Sequence, residues 1–350
     1  MSTDPGPKGG LADSSARADT IHDQSIVVNG LAQPGHLTKT YDAMIGGGIT
    51  ATNLTVAANE GFMDASLRIE SALAALENHG DSDRLRVVTT GDEIREAQDQ
   101  GASGVIVGFQ NADPIEDDLA FLGVFYRLGL RILQLTYQRR NRLGDGCGEP
   151  DDAGLSIFGR EVVAECNTMG ILVDLSHVGY RSTLEAIEAS AQPTVFSHAN
   201  VYAVNPILRN KRDDQIRELA ATGGVMGITS ISRLLTERGR LHGTDVDDLL
   251  DQIEYVAELV GIDHVGIGLD ISEGMTEGDF LARRETFLAK FPELKFGGDF
   301  PFEHYFTRGL DSAGGIRRIT RGLAGRGFDD DDVRKVIGGN FMRVFDAVLR

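Results

Sequence analysis

Short apolar runs recur along the chain, and helical patterns separate most of them. The runs are "SIVVNGL" (25–31), "TATNLTV" (50–56), "GVIVGFQ" (104–110), "LRILQLTY" (130–137), "GILVDLSH" (170–177), "PTVFSH" (193–198), "GVMGITS" (224–230) and "HVGIGLD" (264–270). Between them lie "DASLRIESALAALENHG", "DDLAFLGVFYRLG", "GREVVAECNTMG" and "RSTLEAIEAS", where apolar residues recur at helical spacing. Several of these segments end in glycine just before the next run, a common helix stop. Alternating strand and helix implies right-handed βαβ units with parallel strands. Eight such units predict one closed (β/α)8 barrel, whose strands are apolar because both faces are buried. An open doubly wound sheet fits less well, because no G-x-G-x-x-G follows the first strand. The "GGGIT" at 46–50 precedes its strand and reads as a helix stop.

The ends of the chain complete this picture. Residues 1–21 are rich in Pro, Gly, Ser and Asp and read as a disordered tail, leaving 22–350 for the barrel. The tail has no apolar h-region of a secretory signal. The stretch from about Ile271 to Asp311 is long and rich in Phe and Gly, and is expected to cover the barrel mouth. The C-terminus reads as a short helix, a Gly-Gly-Asn break and a final helix.

Barrel chemistry sits at the C-terminal strand ends. The last residues of the eight runs are Leu31, Val56, Gln110, Tyr137, His177, His198, Ser230 and Asp270. Two of the chain's eight histidines thus end successive strands, beside an aspartate from the eighth. Imidazoles and a carboxylate suit Zn²⁺ or a similar divalent ion. The carboxylate can instead take a proton from an attacking water. A lone strand-end histidine is more often a hydrogen-bonded loop residue, and it is the pair plus Asp270 that points to a metal or catalytic site. His22, His36, His79, His242, His264 and His304 have no such pattern and read as structural. "LRNKRDD" (208–214) is either a solvated basic turn or an anion clamp. Cys147 lies in a Gly-rich loop with no evident base, which disfavours a nucleophile.

Composition changes the picture only by exclusion. A formal charge of −19 disfavours nucleic acid, and there is no transmembrane-length apolar run. Two cysteines in 350 residues make no disulfide framework, so the cytoplasm is the default expectation. A small-molecule substrate is the expected partner, and a homo-oligomer is compatible with the sequence.

The stretches "EDDLAFLGVFYRLGLRILQLTYQRRN", "GLSIFGREVVAECNTMGILVDLSHV", "PTVFSHAN", "LRN", "TGGVMGI", "ELVGIDHVGIGLD" and "VIGGNFMRVF" resemble the renal (membrane) dipeptidase family of metallopeptidases. The resemblance runs from about residue 25 to the C-terminus. It implies a (β/α)8 barrel of the amidohydrolase type, two zinc ions and cleavage of dipeptides. His177 and His198 match the histidines of the second zinc, and Asp270 the aspartate that handles the proton of the attacking water. Arg209, followed by Asn210, matches the arginine that grips the substrate carboxylate.

The match is incomplete. Leu31 and Gln33 stand where the family has a His-x-Asp pair, Gln110 replaces the bridging glutamate, and Tyr137 replaces a substrate-contacting histidine; His36 is out of register. Subtraction leaves ligands for one divalent ion per chain: His177 and His198, with Gln110 and Asp270 as oxygen donors. The expected activity is hydrolysis of a dipeptide or related small amide with a free carboxylate. In it Asp270 is the base, Tyr137 stabilises the oxyanion, and Arg209, Tyr137 and Asn210 bind substrate. The alternatives are a mononuclear metal enzyme of another class, a lyase or C–N cleaving enzyme, and a non-catalytic small-molecule-binding barrel.

Overall fold

A computed structural model describes residues 10–290 and 300–350. Nine parallel strands form the sheet: β1 (Val28–Ala32), β2 (Ala51–Ala57), β3 (Leu85–Val87), β4 (Ser103–Phe109), β5 (Leu130–Gln134), β6 (Leu172–Asp174), β7 (Val195–Ala199), β8 (Val225–Ile228) and β9 (Val265–Ile267). They run in the order β1-β2-β4-β5-β6-β7-β8-β9, with β3 paired to the first residues of β4, Ser103–Val105, ahead of the β5 pairing. A parallel bridge from Ala32 to Ile271 closes the ring. There Asp270 N donates to Leu31 O over 3.1 Å, and Gln33 N to Ile271 O over 2.9 Å. The molecule is therefore a single (β/α)8 barrel, and each of the eight apolar runs overlaps one of its staves. Only β3 was not expected, because three residues carry no legible period.

All residues of the eight staves are buried, as both faces of a covered parallel sheet require. The helix Asn340–Val348 plugs the N-terminal end of the barrel. Phe341 and Phe345 pack there with Val28, Ala51, Ile106, Ile132, Leu172, Val195 and Val225. Asn340 fixes that helix by donating to Ile262 O (2.7 Å) and Val265 O (2.8 Å). The barrel axis is tight: a Cβ on Gly268 would lie 1.9 Å from Ser197 O, and one on Gly227 2.3 Å from the same atom. Gly268→Ala is accordingly expected to destabilise the fold by about 2–3 kcal/mol. Thermal unfolding checks this, and an unshifted midpoint would count against so close a strand approach.

The tail expectation needs correction. Residues 1–9 lie outside the described residues, but Gly10–Gln24 is a helix. Tertiary contacts hold it, which composition does not reveal. Ala18 and Ile21 are buried, and Arg321 grips the Asp19 carboxylate with two 2.8 Å bonds. His22 bridges Thr320 Oγ1 (2.7 Å) and Gly47 O (2.8 Å). The 46–50 stop is as expected: helix Leu37–Gly47 ends on Gly48 at φ 67°. The C-terminus has its short helix, Asp330–Arg334, then a wide turn over Lys335–Gly339 and the final helix.

Candidate active site

Tyr137, His177, Arg209 and Asp270 line one cavity at the C-terminal mouth of the barrel, roughly 850 Å³ including its open entrance. Gln33, Gln138, Arg233 and Tyr305 share its wall. Phe280, Arg283, Arg284 and Phe287, on the helix Glu277–Lys290, help cover it, as does Phe300. The 271–311 segment thus does cover the mouth; its residues 291–299 lie outside the described ones.

The two histidines meet. Their Nε2 atoms are 3.0 Å apart, and Gln110 Nε2 lies 3.1 Å from His198 Nε2. Hydrogen-bond bookkeeping assigns the tautomers. Ser176 and Ser197 both donate their hydroxyls to the buried Asp174 carboxylate, over 2.5 and 2.6 Å. Ser197 Oγ is then an acceptor, so His198 Nδ1, 2.7 Å away, carries its proton. The lone pair of His198 is left on Nε2, where it accepts from Gln110 and from His177 Nε2. His177 Nδ1 accepts from Gln138 Nε2 at 3.0 Å, while Gln138 Oε1 takes the Cys147 thiol at 3.1 Å. Burial, reinforced by Arg209, holds both imidazoles well below their ordinary pKa, so both are neutral.

Asp270 follows β9 in the left-handed region, at φ 62°. A non-glycine residue there is strained. The strain accompanies closure of the barrel through the Asp270–Leu31 bond while the side chain faces the cavity. Gln33 Nε2 donates to Asp270 Oδ1 at 2.7 Å, and Arg283 donates to Gln33 Oε1 at 2.6 Å. Burial raises the Asp270 pKa, opposed by the Gln33 bond and by Arg209, Arg283 and Arg233. The Tyr137 ring stacks on His177 with centroids 4.3 Å apart. Burial, with Asp270 nearby, pushes its hydroxyl up to about 12, so it is a donor at neutral pH.

Arg209 is buried and pinned by backbone: Nη1 donates to Ser176 O and Nη2 to His198 O, each at 2.6 Å. Each terminal nitrogen keeps a second N–H, and Nε has no partner. Asn210 does not join it, which corrects its expected substrate-binding role. Its amide donates to Asn205 O (2.9 Å) and Leu234 O (2.8 Å), stapling its loop to the segment after β8, and it does not line the cavity. Adjacent residues here point to different sides.

Lys211 is also buried, donating to Val178 O at 2.9 Å. Burial, reinforced by Arg209, lowers its pKa to about 7. The folded state then binds fewer protons than the unfolded chain between pH 7 and the ordinary lysine range. Stability should therefore rise with pH across that window. Lys211→Met should remove this rise, measured as the wild-type minus variant difference in unfolding free energy; an unchanged slope would contradict it.

The residues present do not fit a two-metal centre. Among the described residues, the one group of three or more His, Cys, Asp or Glu side chains with ligand atoms within 4.8 Å of one another is Asp42, His79 and Asp81. There His79 Nδ1 is taken by the Asp81 N–H. Among the described residues, His177, His198 and Asp270 do not form such a group. Gln110 packs on His198 through its amide nitrogen, not its oxygen. What remains is a pair of neutral imidazoles: His198 Nε2 is bare of hydrogen and its Nδ1 is held by Ser197, itself bonded to Asp174, while His177 would face the same point as a ligand only after its proton moves from Nε2 to Nδ1. Histidines that bind metal are typically held by such a second hydrogen bond. The pair fits one ion at most.

Sequence reasoning missed Gln138, Arg233, Arg283 and Arg284. Arg233 lies three residues past the end of its apolar run and Gln138 one past its own, so reading slightly beyond each run finds them. The "RR" at 283–284 gives no signal of its own, since only the packing of its helix over the mouth brings it to the site.

A closed parallel barrel with chemistry gathered at its C-terminal mouth, around strand-end histidines and an aspartate, defines the amidohydrolase class of barrel. Within that class the chain belongs to the membrane dipeptidase family (peptidase family M19), whose family model matches residues 37–279 and 293–350. It is 30% identical over 207 residues to an uncharacterized dipeptidase of Schizosaccharomyces pombe, covering 58% of this chain and 49% of that one. It is 27% identical over 269 residues to the dipeptidase tcpJ of Claviceps purpurea, covering 76% and 56%. The chain thus spans about half the length of these curated relatives. Among solved structures, an amidohydrolase from Pseudomonas aeruginosa superposes with a TM-score of 0.85 at 34% identity, covering 95% of this chain and 99% of that one. A Rhodobacter sphaeroides metallo peptidase, liganded with a phosphinate mimic of L-Ala-D-Ala, shares the fold at a TM-score of 0.75 and 21% identity, covering 93% and 100%.

Proposed function

We propose that the chain hydrolyses a small amide, a dipeptide or an N-acyl amino acid, with a free carboxylate. The observation that carries this reading is the convergence of Arg209, Asp270, Tyr137 and His177 on one cavity. Arg209 takes the substrate carboxylate with the N–H groups its backbone partners leave over. That anchors the scissile carbonyl near Tyr137, whose O–H donates to the oxygen as negative charge develops. Asp270 accepts the proton of the attacking water and returns it to the leaving nitrogen. A divalent ion such as zinc, held by His177 and His198, would polarise the carbonyl and lower the pKa of water. The aromatic cover, Phe280 and Phe300 among it, keeps bulk water out.

One specific feature favours a non-catalytic binding barrel instead: the histidine pair is already satisfied by protein groups, from Gln138 through to Asp174. Product analysis decides between the two. Dipeptides and N-acyl amino acids would be incubated with the protein beside their C-terminal amides. Hydrolysis of the free acids with little of the amides is the expected result. Binding without any product would leave the binding barrel standing.

A further inference from the structure

The hydrogen bonds around the histidine pair form one buried chain, and it runs in a single direction. Asp174 stands at one end as an acceptor: the backbone N–H and the hydroxyl of both Ser176 and Ser197 donate to its carboxylate. The polarity follows link by link from there. Ser197 Oγ gives its proton to Asp174 and accepts from His198 Nδ1 at 2.7 Å. His198 Nε2 accepts from His177 Nε2 at 3.0 Å, His177 Nδ1 accepts from Gln138 Nε2 at 3.0 Å, and Gln138 Oε1 accepts the Cys147 thiol at 3.1 Å. All six side chains are buried. Were the Gln138 amide turned the other way, its oxygen would face the lone pair of His177 Nδ1.

The two imidazoles are therefore not equivalent towards a cation. A ligand nitrogen must offer a lone pair, and the other ring nitrogen of a ligating histidine typically donates to an oxygen. His198 already meets both conditions, with a bare Nε2 and Nδ1–H on Ser197. His177 meets neither. Its Nε2 carries the proton, and its Nδ1 faces an N–H of Gln138. We infer that Gln138 is a positioning residue that sets the ion affinity of the histidine pair: it holds His177 in the tautomer that cannot ligate, and an ion enters only as its amide turns end for end. The turn puts Oε1 on His177 Nδ1–H and Nε2 on the Cys147 sulfur. The thiol then loses its oxygen acceptor and becomes a weak acceptor itself, so Cys147 favours the locked state. This rests on the reading of the histidine pair as the holder of one ion, and the outcomes below separate the two claims.

Gln138→Glu replaces the amide by a group that accepts at both oxygens, from Cys147 and from His177 Nδ1–H together. In metal-free full chain labelled with ¹⁵N-histidine, nuclear magnetic resonance should show His177 Nδ1 bare in the wild type and protonated in the variant. Competition for Zn²⁺ against a chromophoric chelator should show the variant binding about 10–100-fold more tightly, the usual weight of a partner behind a ligating histidine. Adding His177→Ala should remove that gain. Cys147→Ala, which adds no charge, should tighten binding by about threefold, since only a thiol hydrogen bond is released. If the glutamate variant melts early, the alanine variant and the wild-type spectrum decide. His177 Nδ1 protonated in the metal-free wild type overturns the inference. So does a gain that survives without His177, because the new carboxylate is then itself the ligand. Zinc bound by the wild type and no more tightly by either variant overturns it too, while the one-ion reading stands. Zinc bound by the glutamate variant and not by the wild type leaves the lock standing and removes the ion from the native protein. Zinc bound by none of them overturns both.

Discussion

Asp270→Asn is expected to lower kcat for the hydrolysed amide by about 10²–10⁴-fold, the usual worth of a positioned general base. Asparagine keeps the shape and can still meet Gln33, but it cannot take a proton. The same change should not weaken the fold. Burial raises the Asp270 pKa, so the folded state holds this proton more tightly than the unfolded chain. Ionised Asp270 therefore costs stability, and the cost develops as pH rises from the ordinary carboxylate range through the raised folded value. At neutral pH the asparagine variant should be as stable as the wild type or more so, while catalytically impaired. The wild-type pH–rate profile should show an acid limb above the ordinary carboxylate range. Turnover retained in a well-folded variant would remove Asp270 from the reaction.

Arg209→Lys is expected to weaken binding of a carboxylate ligand by about 10–100-fold, because a charge-assisted pair of hydrogen bonds is lost with the planar fork. A lysine keeps the charge but cannot hold Ser176 O and His198 O while presenting further N–H groups. Those carbonyls belong to the stretches that carry His177 and His198, so the same arginine ties the histidine strands together. The control is the ligand's amide: it should lose little affinity, and an equal loss for acid and amide would mean that only the strand tie was broken.

The barrel was legible because buried parallel strands are apolar on both faces and stop at glycine-rich turns. The site was half legible. Reading the ends of the runs found His177, His198, Gln110, Tyr137 and Asp270, since barrel geometry brings strand ends together whatever the loops do. It failed wherever a side chain is positioned by tertiary packing. Asn210 follows Arg209 in sequence but is turned away by its bonds to Asn205 and Leu234. Arg283 reaches the site only because its helix folds across the mouth, and Gln33 has a partner in Asp270 only because the ring closes there. Asp174 was invisible as a site residue: it looks like one more strand residue until two serines and His198 are seen to hang from it. The helix Gly10–Gln24 was hidden by a composition typical of tails, and its ion pairs to Arg317 and Arg321 come from the far end of the chain.

On the proposed reading, the two-metal centre that the family resemblance implies is reduced here to a single histidine pair serving one substrate cavity. Metal content measured beside turnover, on freshly purified wild type and on a His177→Ala, His198→Ala double variant, tests it most directly. The expected result is at most one divalent ion per wild-type chain, absent from the double variant together with hydrolysis. Two ions per chain with rapid cleavage of ordinary dipeptides would contradict it, showing that Leu31, Gln33 and Gln110 do not mark a lost site.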